Sequence, residues 1–286
     1  MNATELLSMM RTSVIDAAVA ARRNVRLVPN AEDGVITETD MANSARMRAL
    51  GEAIREQLPG LVQLDEESEK PGHFQLLSST HVLATDGLDA SRNFAGGLPF
   101  WGVSAGLLRG GAPFLGAVVV NHGDHLRVWS GGSDAAAAVD VFDLEGSLVA
   151  RHVPAATPDW RIAKLDFMAS AKLEMQRDWE VSPGYLGFNP WGACARISML
   201  AHVPALGGAR AGGALDRSRL WDWAGLWAAL KGLAIEPYNL RTGAALRKLE
   251  VNTLDAATWR LTDDHVWATA ENFDFIRAEV LKRRTA

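Results

Sequence analysis

The chain has 286 residues, of which 48% are hydrophobic and 22% are charged. This composition excludes a disordered or fibrous protein, and the length allows one large domain or two halves that share a core. The 29 basic and 34 acidic residues give a net charge of −5, which argues against a nucleic-acid polymer as partner. A single cysteine, Cys194, excludes an intrachain disulfide and favours a cytoplasmic location.

The N-terminal part of the chain predicts two amphipathic helices. Residues 1–23 carry apolar side chains at helical spacing with acidic residues between them, which indicates a helix and not a signal peptide. Residues 35–40 are rich in β-branched residues and predict a short strand or extended segment. A second helix ends at Pro59-Gly60, and its apolar face consists of Met47, Leu50, Ile54 and Leu58. No apolar run reaches the roughly 20 residues that a membrane span requires.

Two short apolar runs then end in carboxylates. Residues 61–64 are strand-like and lead directly into Asp65-Glu66-Glu67, and residues 81–85 are followed by Asp86. Both predicted strands therefore deliver acidic side chains at their C-terminal ends.

The remainder of the chain divides into a β-meander and a second alternation of strands and helices. Residues 101–129 predict three strands joined by glycine-containing turns. Residues 131–158 read as looser, and we place the boundary between an N-terminal half, 1–150, and a C-terminal half, 151–286, in this region. Beyond it the pattern predicts one strand and three helices, at 162–167, 193–202, 222–230 and around Phe273, Ile276 and Val280.

Several carboxylates lie at the ends of these elements, where an isolated charge is costly. They are Asp40, Glu66, the pair Asp86 and Asp89, and Asp222. Helix capping explains some of them singly. If they converge, they repel one another unless hard divalent cations are present, and all-oxygen ligation is what Mg²⁺ prefers.

The segment from Asp86 to Phe94 suits a turn from a strand into a helix. Two carboxylates stand three residues apart, and the hydroxyl of Ser91 follows two residues later. The free backbone N–H groups at such a helix start bind phosphate. The sequence therefore places a phosphate site beside a metal site.

Four motifs, in the correct order, resemble the inositol monophosphatase family, whose patterns are T-x-T-D, G-E-E-S, D-P-I-D-G-T-T-N-F and W-D-x-A-G. The matching segments are Thr37-x-Thr39-Asp40, Asp65-Glu66-Glu67-Ser68, Asp86-Gly87-Leu88-Asp89-Ala90-Ser91-Arg92-Asn93-Phe94 and Trp221-Asp222-x-Ala224-Gly225. The resemblance implies an α/β (α+β) fold, a layered α-β-α-β-α sandwich. It also implies Mg²⁺-dependent hydrolysis of a small sugar, inositol or related phosphate.

The resemblance also implies the role of each site residue. The Mg²⁺ ions, two or three in number, would be held by Glu66, Asp86, the Leu88 carbonyl, Asp89 and Asp222. The catalytic residues would be Asp40, Glu66 and Ser91, with Asp40 and Ser91 as the pair that activates water. Substrate would be bound by Ala90, Ser91, Asp216 and Asp222, where Asp216 is expected to hydrogen-bond substrate hydroxyls.

Three positions depart from the family pattern. Gly87 replaces proline, Ala90 replaces glycine and Asp65 replaces glycine. The Cβ of Ala90 would crowd the approach of the backbone to phosphate, and we expect Gly87, which is freer than proline, to compensate.

The resemblance leaves the substrate open among inositol, histidinol phosphate, fructose 1,6-bisphosphate and adenosine 3′,5′-bisphosphate. A different reading is a catalytically weak or inactive relative that binds metal or a phosphorylated ligand. The expected partners are a small phosphorylated substrate and a second copy of the chain in a homodimer, with no membrane. Cys194 is expected to be a packed thiol, and tryptophans around Asp222 are expected to form core.

Overall fold

The computed structural model describes residues 2–23, 38–156, 163–167, 185–187, 192–203, 211–216 and 218–284. Two long helices open the described chain, α1 at Ala3–Ala21 and α2 at Glu38–Gln57. A capping box begins α1, because the Glu5 amide donates to Asn2 Oδ1 and the Asn2 amide donates back to the Glu5 carboxylate.

The predicted helices at the N-terminus are confirmed, but the extended segment before the second one is partly wrong. Glu38 to Asp40 already belong to α2, where acidic side chains in the first turn favour the helix N-terminus. Residues 35–37 lie outside the described ranges. Met47, Leu50 and Ile54 are buried as predicted.

The first sheet has seven strands whose order in space is their order in the chain. The strands are β1 Val62–Asp65, β2 His81–Asp89, β3 Gly102–Arg109, β4 Ala112–Asn121, β5 Leu126–Gly132, β6 Ala135–Phe142 and β7 Leu148–His152. β1 runs parallel to β2, and every later pair is antiparallel, so the predicted meander is confirmed. Two short helices, α3 at His73–Ser78 and α4 at Ser91–Ala95, flank β2.

The prediction that residues 131–158 are loosely structured is wrong over most of that range. β6 and β7 complete the seven-stranded sheet there. The run of alanines has a low intrinsic preference for strands, but pairing with β5 supplies the backbone hydrogen bonds that make it one. The domain boundary at 150/151 stays a prediction.

The second sheet has five strands in the order β10, β9, β12, β14, β13. The elements of this region are β8 Ala155–Ala156, β9 Ala163–Phe167, β10 Tyr185–Gly187, α5 Ala193–Ser198, β11 Ala201–His202, β12 Ala211–Asp216, α6 Leu220–Ala229, a 3-10 turn Lys231–Leu233, β13 Glu236–Asn239, β14 His265–Ala268 and α7 Ala270–Arg284. The helix predicted at 193–202 is wrong beyond Ser198, because Ala201 and His202 pair with β8.

Alternate residues of the first sheet face different helices. Ala117 and Val119 pack with α1 and α2, while Val118 and Val120 pack with α6. On its far side α6 meets the second sheet, where the Trp223 ring lies 5.8 Å from the ring of Trp267 in β14. α7 packs against that sheet, where the ring of Phe273 stacks on the ring of Tyr238 in β13 with their centroids 4.6 Å apart. The predicted α-β-α-β-α sandwich is confirmed.

Candidate active site and metal centre

Three carboxylates converge at one edge of the first sheet. β1 and β2 are parallel, and Asp65 is in register with Thr85, so the next residues, Glu66 and Asp86, emerge side by side. Asp222 arrives from the first turn of α6, which packs on the same sheet. Ligand atoms of Glu66, Asp86 and Asp222 all lie within 4.8 Å of one another. The structure thus joins three acids that the sequence places far apart.

The electrostatics of this cluster are those of a cation site. Burial, followed by the charges of Glu66 and Asp222, raises the pKa of Asp86 well above its usual range. Burial, followed by the charge of Glu67, raises the pKa of Glu66 to about 7. Carboxylates this close and this buried destabilise one another when ionised. An all-oxygen donor set of this kind fits a hard divalent ion such as Mg²⁺.

Asp89 lies beside this cluster, and its carboxylate accepts hydrogen bonds from the backbone of α5. Its two oxygens accept hydrogen bonds from the backbone N–H groups of Ala193, at 3.3 Å, and Cys194, at 2.8 Å, in the first turn of α5. Its charge is near enough to raise the pKa of both Glu66 and Asp86. Asp89 is not one of the three converging ligands, and its role as a metal ligand stays a prediction.

The pair expected to activate water is assembled. Ser91 Oγ lies 2.7 Å from Asp40 Oδ1, which is buried in the first turn of α2. The same hydroxyl lies 3.0 Å from the carbonyl oxygen of Leu88. A hydroxyl that donates to Asp40 keeps its lone pairs available to accept a hydrogen bond from water.

Ala90 adopts a left-handed backbone conformation, with φ 66° and ψ 49° at the N-cap of α4. The departure from glycine at this position is therefore a conformational cost, since a Cβ disfavours positive φ. The carbonyl of Ala90 accepts the first helical hydrogen bonds from Asn93 and Phe94, which holds the turn in place.

Gly87 has a packing role that the sequence analysis did not predict, and its expected compensation for Ala90 stays a prediction. A Cβ there would lie 2.8 Å from the amide nitrogen of Ser44 and 3.1 Å from the Cβ of Asn43, both in α2. The Asn43 side chain also donates to the carbonyl of Gly87, at 2.9 Å. Glycine stands here because β2 and α2 approach closely.

Asp65, which replaces a glycine of the family pattern, anchors the turn that carries Glu66. Its buried carboxylate accepts hydrogen bonds from the hydroxyls of Ser44, Thr85 and Ser68 and from the amide of Glu67. The sequence analysis recorded the departure at Asp65 but not this role. A buried carboxylate with several donors is stable without a metal ion.

Two cations beside the cluster were also missed by the sequence analysis. Lys70 Nζ donates to the backbone oxygens of Asp65, Glu66 and Ser68, and burial lowers its pKa. Arg219 Nη1 lies 3.3 Å from Glu66 Oε1. Neither Lys70 nor Arg219 lies at a sequence spacing from these residues that would have predicted the contact.

The remaining predicted residues are placed as follows. Asp216 is the last residue of β12, and its side chain lies outside the described part of the structure. Cys194 is buried, its pKa is raised well above the usual range by burial, and its Sγ lies 3.3 Å from the carbonyl oxygen of Asp222. Trp221 and Trp223 are buried, as expected of core residues.

Residues 4–133 match the model of the inositol monophosphatase family. Over this part, the chain resembles the inositol monophosphatase family. This confirms the resemblance read from the four motifs. This match supports a phosphatase as the class of activity. A search of curated protein sequences gave no match.

Solved structures of the family share the fold along almost the whole chain. An inositol monophosphatase from Anabaena (Nostoc) has a TM-score of 0.66 at 16% identity and covers 98% of this chain and 96% of its own. The extragenic suppressor protein suhB from Bartonella henselae has a TM-score of 0.65 at 14% identity, covering 96% and 97%. SaIMPase-II bound to inositol monophosphate has a TM-score of 0.60 at 15% identity, covering 98% and 95%.

In the described ranges, no helix combines the length and the apolar character needed to cross a membrane.

Proposed function

We propose that the chain hydrolyses the phosphate monoester of a small sugar, inositol or related alcohol, and that it depends on Mg²⁺. The observation that carries this proposal is the convergence of Glu66, Asp86 and Asp222 within 4.8 Å. The 2.7 Å contact between Ser91 and Asp40 supports it, because a hydroxyl held by a carboxylate suits the activation of water.

The chain's own residues have separate tasks in the proposed reaction. Glu66, Asp86 and Asp222, with Asp89 and the Leu88 carbonyl, would hold the ions. When bound, Mg²⁺ lowers the pKa of water and neutralises charge on phosphate oxygens. Ser91 donates to Asp40 and accepts a hydrogen bond from the attacking water, so it orients that water and leads its proton toward the carboxylate. The Ser91 and Ala90 backbone would receive the phosphate.

The substrate is proposed at the level of its class. Asp216 and Asp222 would hydrogen-bond substrate hydroxyls, which favours a polyol. Within the family, SaIMPase-II has been solved with inositol monophosphate and separately with 2′AMP, so a nucleotide phosphate belongs in any substrate panel. Histidinol phosphate, fructose 1,6-bisphosphate and adenosine 3′,5′-bisphosphate complete that panel.

A second candidate function is binding of metal or a phosphorylated ligand without turnover. The strained Ala90 favours it, because the cost of holding an alanine at positive φ disfavours the backbone conformation of the helix start that would receive phosphate.

We also propose that the chain is cytoplasmic and that it forms a homodimer. Sedimentation of the purified chain would test the homodimer.

The decisive experiment is phosphate release from this panel with Mg²⁺, by the wild-type chain and by Asp86→Asn. We expect release from at least one member by the wild type, and loss of about a hundredfold or more in the variant. Asp86→Asn retains the acceptor for the Leu88 amide, so its fold should persist. Mg²⁺ binding without release from any member would favour the second candidate.

A further inference from the structure

The residue that precedes α6, its N-cap Arg219, contacts two of the three converging carboxylates. The backbone N–H of Arg219 donates to Asp222 Oδ2 at 2.9 Å, and its guanidinium lies 3.3 Å from Glu66 Oε1. The two contacts differ in kind. Any residue except proline keeps the backbone contact, whereas only a long cationic side chain makes the contact with Glu66.

The other nearby cation is committed to the backbone. Lys70 Nζ has three protons and three carbonyl partners, in Asp65, Glu66 and Ser68. It therefore fixes the turn and has no proton left for a carboxylate. Arg219 is thus the cation that compensates the side-chain charge of Glu66 among the residues the structure describes.

Arg219 also has a second support that does not involve the cluster. Its guanidinium lies 5.4 Å from the centroid of the Trp221 ring, and its side chain is 43% exposed. An arginine stacked on a ring at the rim of the site can leave Glu66 with little loss, because solvent and the ring face remain available to it.

We propose that Arg219 neutralises Glu66 in the metal-free chain and is displaced from it when the divalent ion binds, so that Arg219 sets the metal affinity. This inference rests on the proposed metal site. The guanidinium takes up part of the lone-pair capacity of Glu66 Oε1, and a positive charge at this distance also repels an incoming dication.

The test is direct binding of Mn²⁺, measured as the loss of the free-ion signal in electron paramagnetic resonance. The proteins are the wild type, Arg219→Gln and Arg219→Lys, all measured in the same buffer. Arg247→Gln is the matched control, because Arg247 is an exposed arginine that pairs with a different glutamate, Glu236 in β13. Thermal melts confirm that each variant is folded.

We expect Arg219→Gln to bind Mn²⁺ about fivefold more tightly than the wild type, which corresponds to about 1 kcal/mol. Arg219→Lys should stay within about twofold of the wild type, since it keeps the charge, and Arg247→Gln should not change. Equal or weaker binding by Arg219→Gln overturns the inference while leaving the metal site intact. An absence of Mn²⁺ binding by the wild type overturns both proposals.

Discussion

Gly116 of β4 lies against Gly225 of α6 so closely that a Cβ on Gly116 would stand 2.9 Å from the carbonyl carbon of Gly225. Gly106 of β3 makes the same approach, since its Cβ would lie 2.5 Å from the Gly225 amide nitrogen. These glycines let the backbone of α6 rest directly on the sheet. Asp222 lies one helical turn earlier, so this contact brings it to Glu66 and Asp86.

Gly116→Ala should therefore damage both stability and the acidic cluster. The added methyl forces α6 away from the sheet, which costs about 1–3 kcal/mol in the free energy of unfolding. A shift of about 1 Å in Asp222 should lower phosphate release by about a hundredfold. Urea unfolding and the release assay measure the two effects. Gly232→Ala is the control, because nothing lies within 4 Å of its Cβ position.

Ser91→Ala should lower kcat by about a hundredfold with little change in KM, because the hydroxyl that links water to Asp40 is lost. Ser91→Thr should retain activity, since the hydroxyl remains. Steady-state kinetics on the best substrate of the panel separates the two constants. If Ser91→Ala behaves like the wild type, water is activated by Glu66 and the metal alone.

Asp89→Asn should abolish turnover and also destabilise the fold, unlike Asp86→Asn. An amide at position 89 turns one donor toward the N–H groups of Ala193 and Cys194, which leaves a buried donor unpaired at a cost of about 1–3 kcal/mol. Unfolding curves of the two variants, measured in the same buffer, give the comparison. Equal stability would show that the contact with α5 contributes nothing.

Ala90→Gly should stabilise the protein by about 1 kcal/mol, because it removes the cost of a left-handed alanine. Gly87→Ala should destabilise it by about 1–3 kcal/mol, because the new Cβ meets α2 at Ser44. The two effects have separate origins, so the double variant should equal their sum within about 0.5 kcal/mol. A strongly non-additive cycle would restore the idea that the two positions compensate.

The metal-free protein should lose stability as the pH rises from about 4.5 to about 7. Burial and Glu67 raise the pKa of Glu66 over that interval, so the folded state keeps a proton that the unfolded state has released. The contribution of Glu66 to this loss is at most about 3 kcal/mol. Urea unfolding in a chelator across this window measures it, and Glu66→Gln should reduce the slope, while the raised pKa of Asp86 keeps part of it. Mg²⁺ affinity should rise over the same window, because the ion needs the ionised carboxylate.

The sequence was sufficient for the parts of the site that follow from local pattern. Strand-like runs followed at once by acids predicted that Glu66 and Asp86 lie at strand ends. Glu66 does follow the end of β1, whereas β2 continues past Asp86 to Asp89. The helix start at Asp222 was predicted in the same way. By contrast, β6 and β7 were not predicted, because an alanine run has no periodicity that indicates a strand until a neighbour pairs with it.

Only the tertiary structure decided which of these residues meet. The docking of α6 on Gly106 and Gly116 brings Asp222 to Glu66, although the two residues are far apart in the sequence. The contact of Arg219 with Glu66 depends on the same packing. Periodicity and motif spacing record what neighbours in the chain do, whereas these contacts arise from close approach between a sheet and a helix that the chain reaches much later.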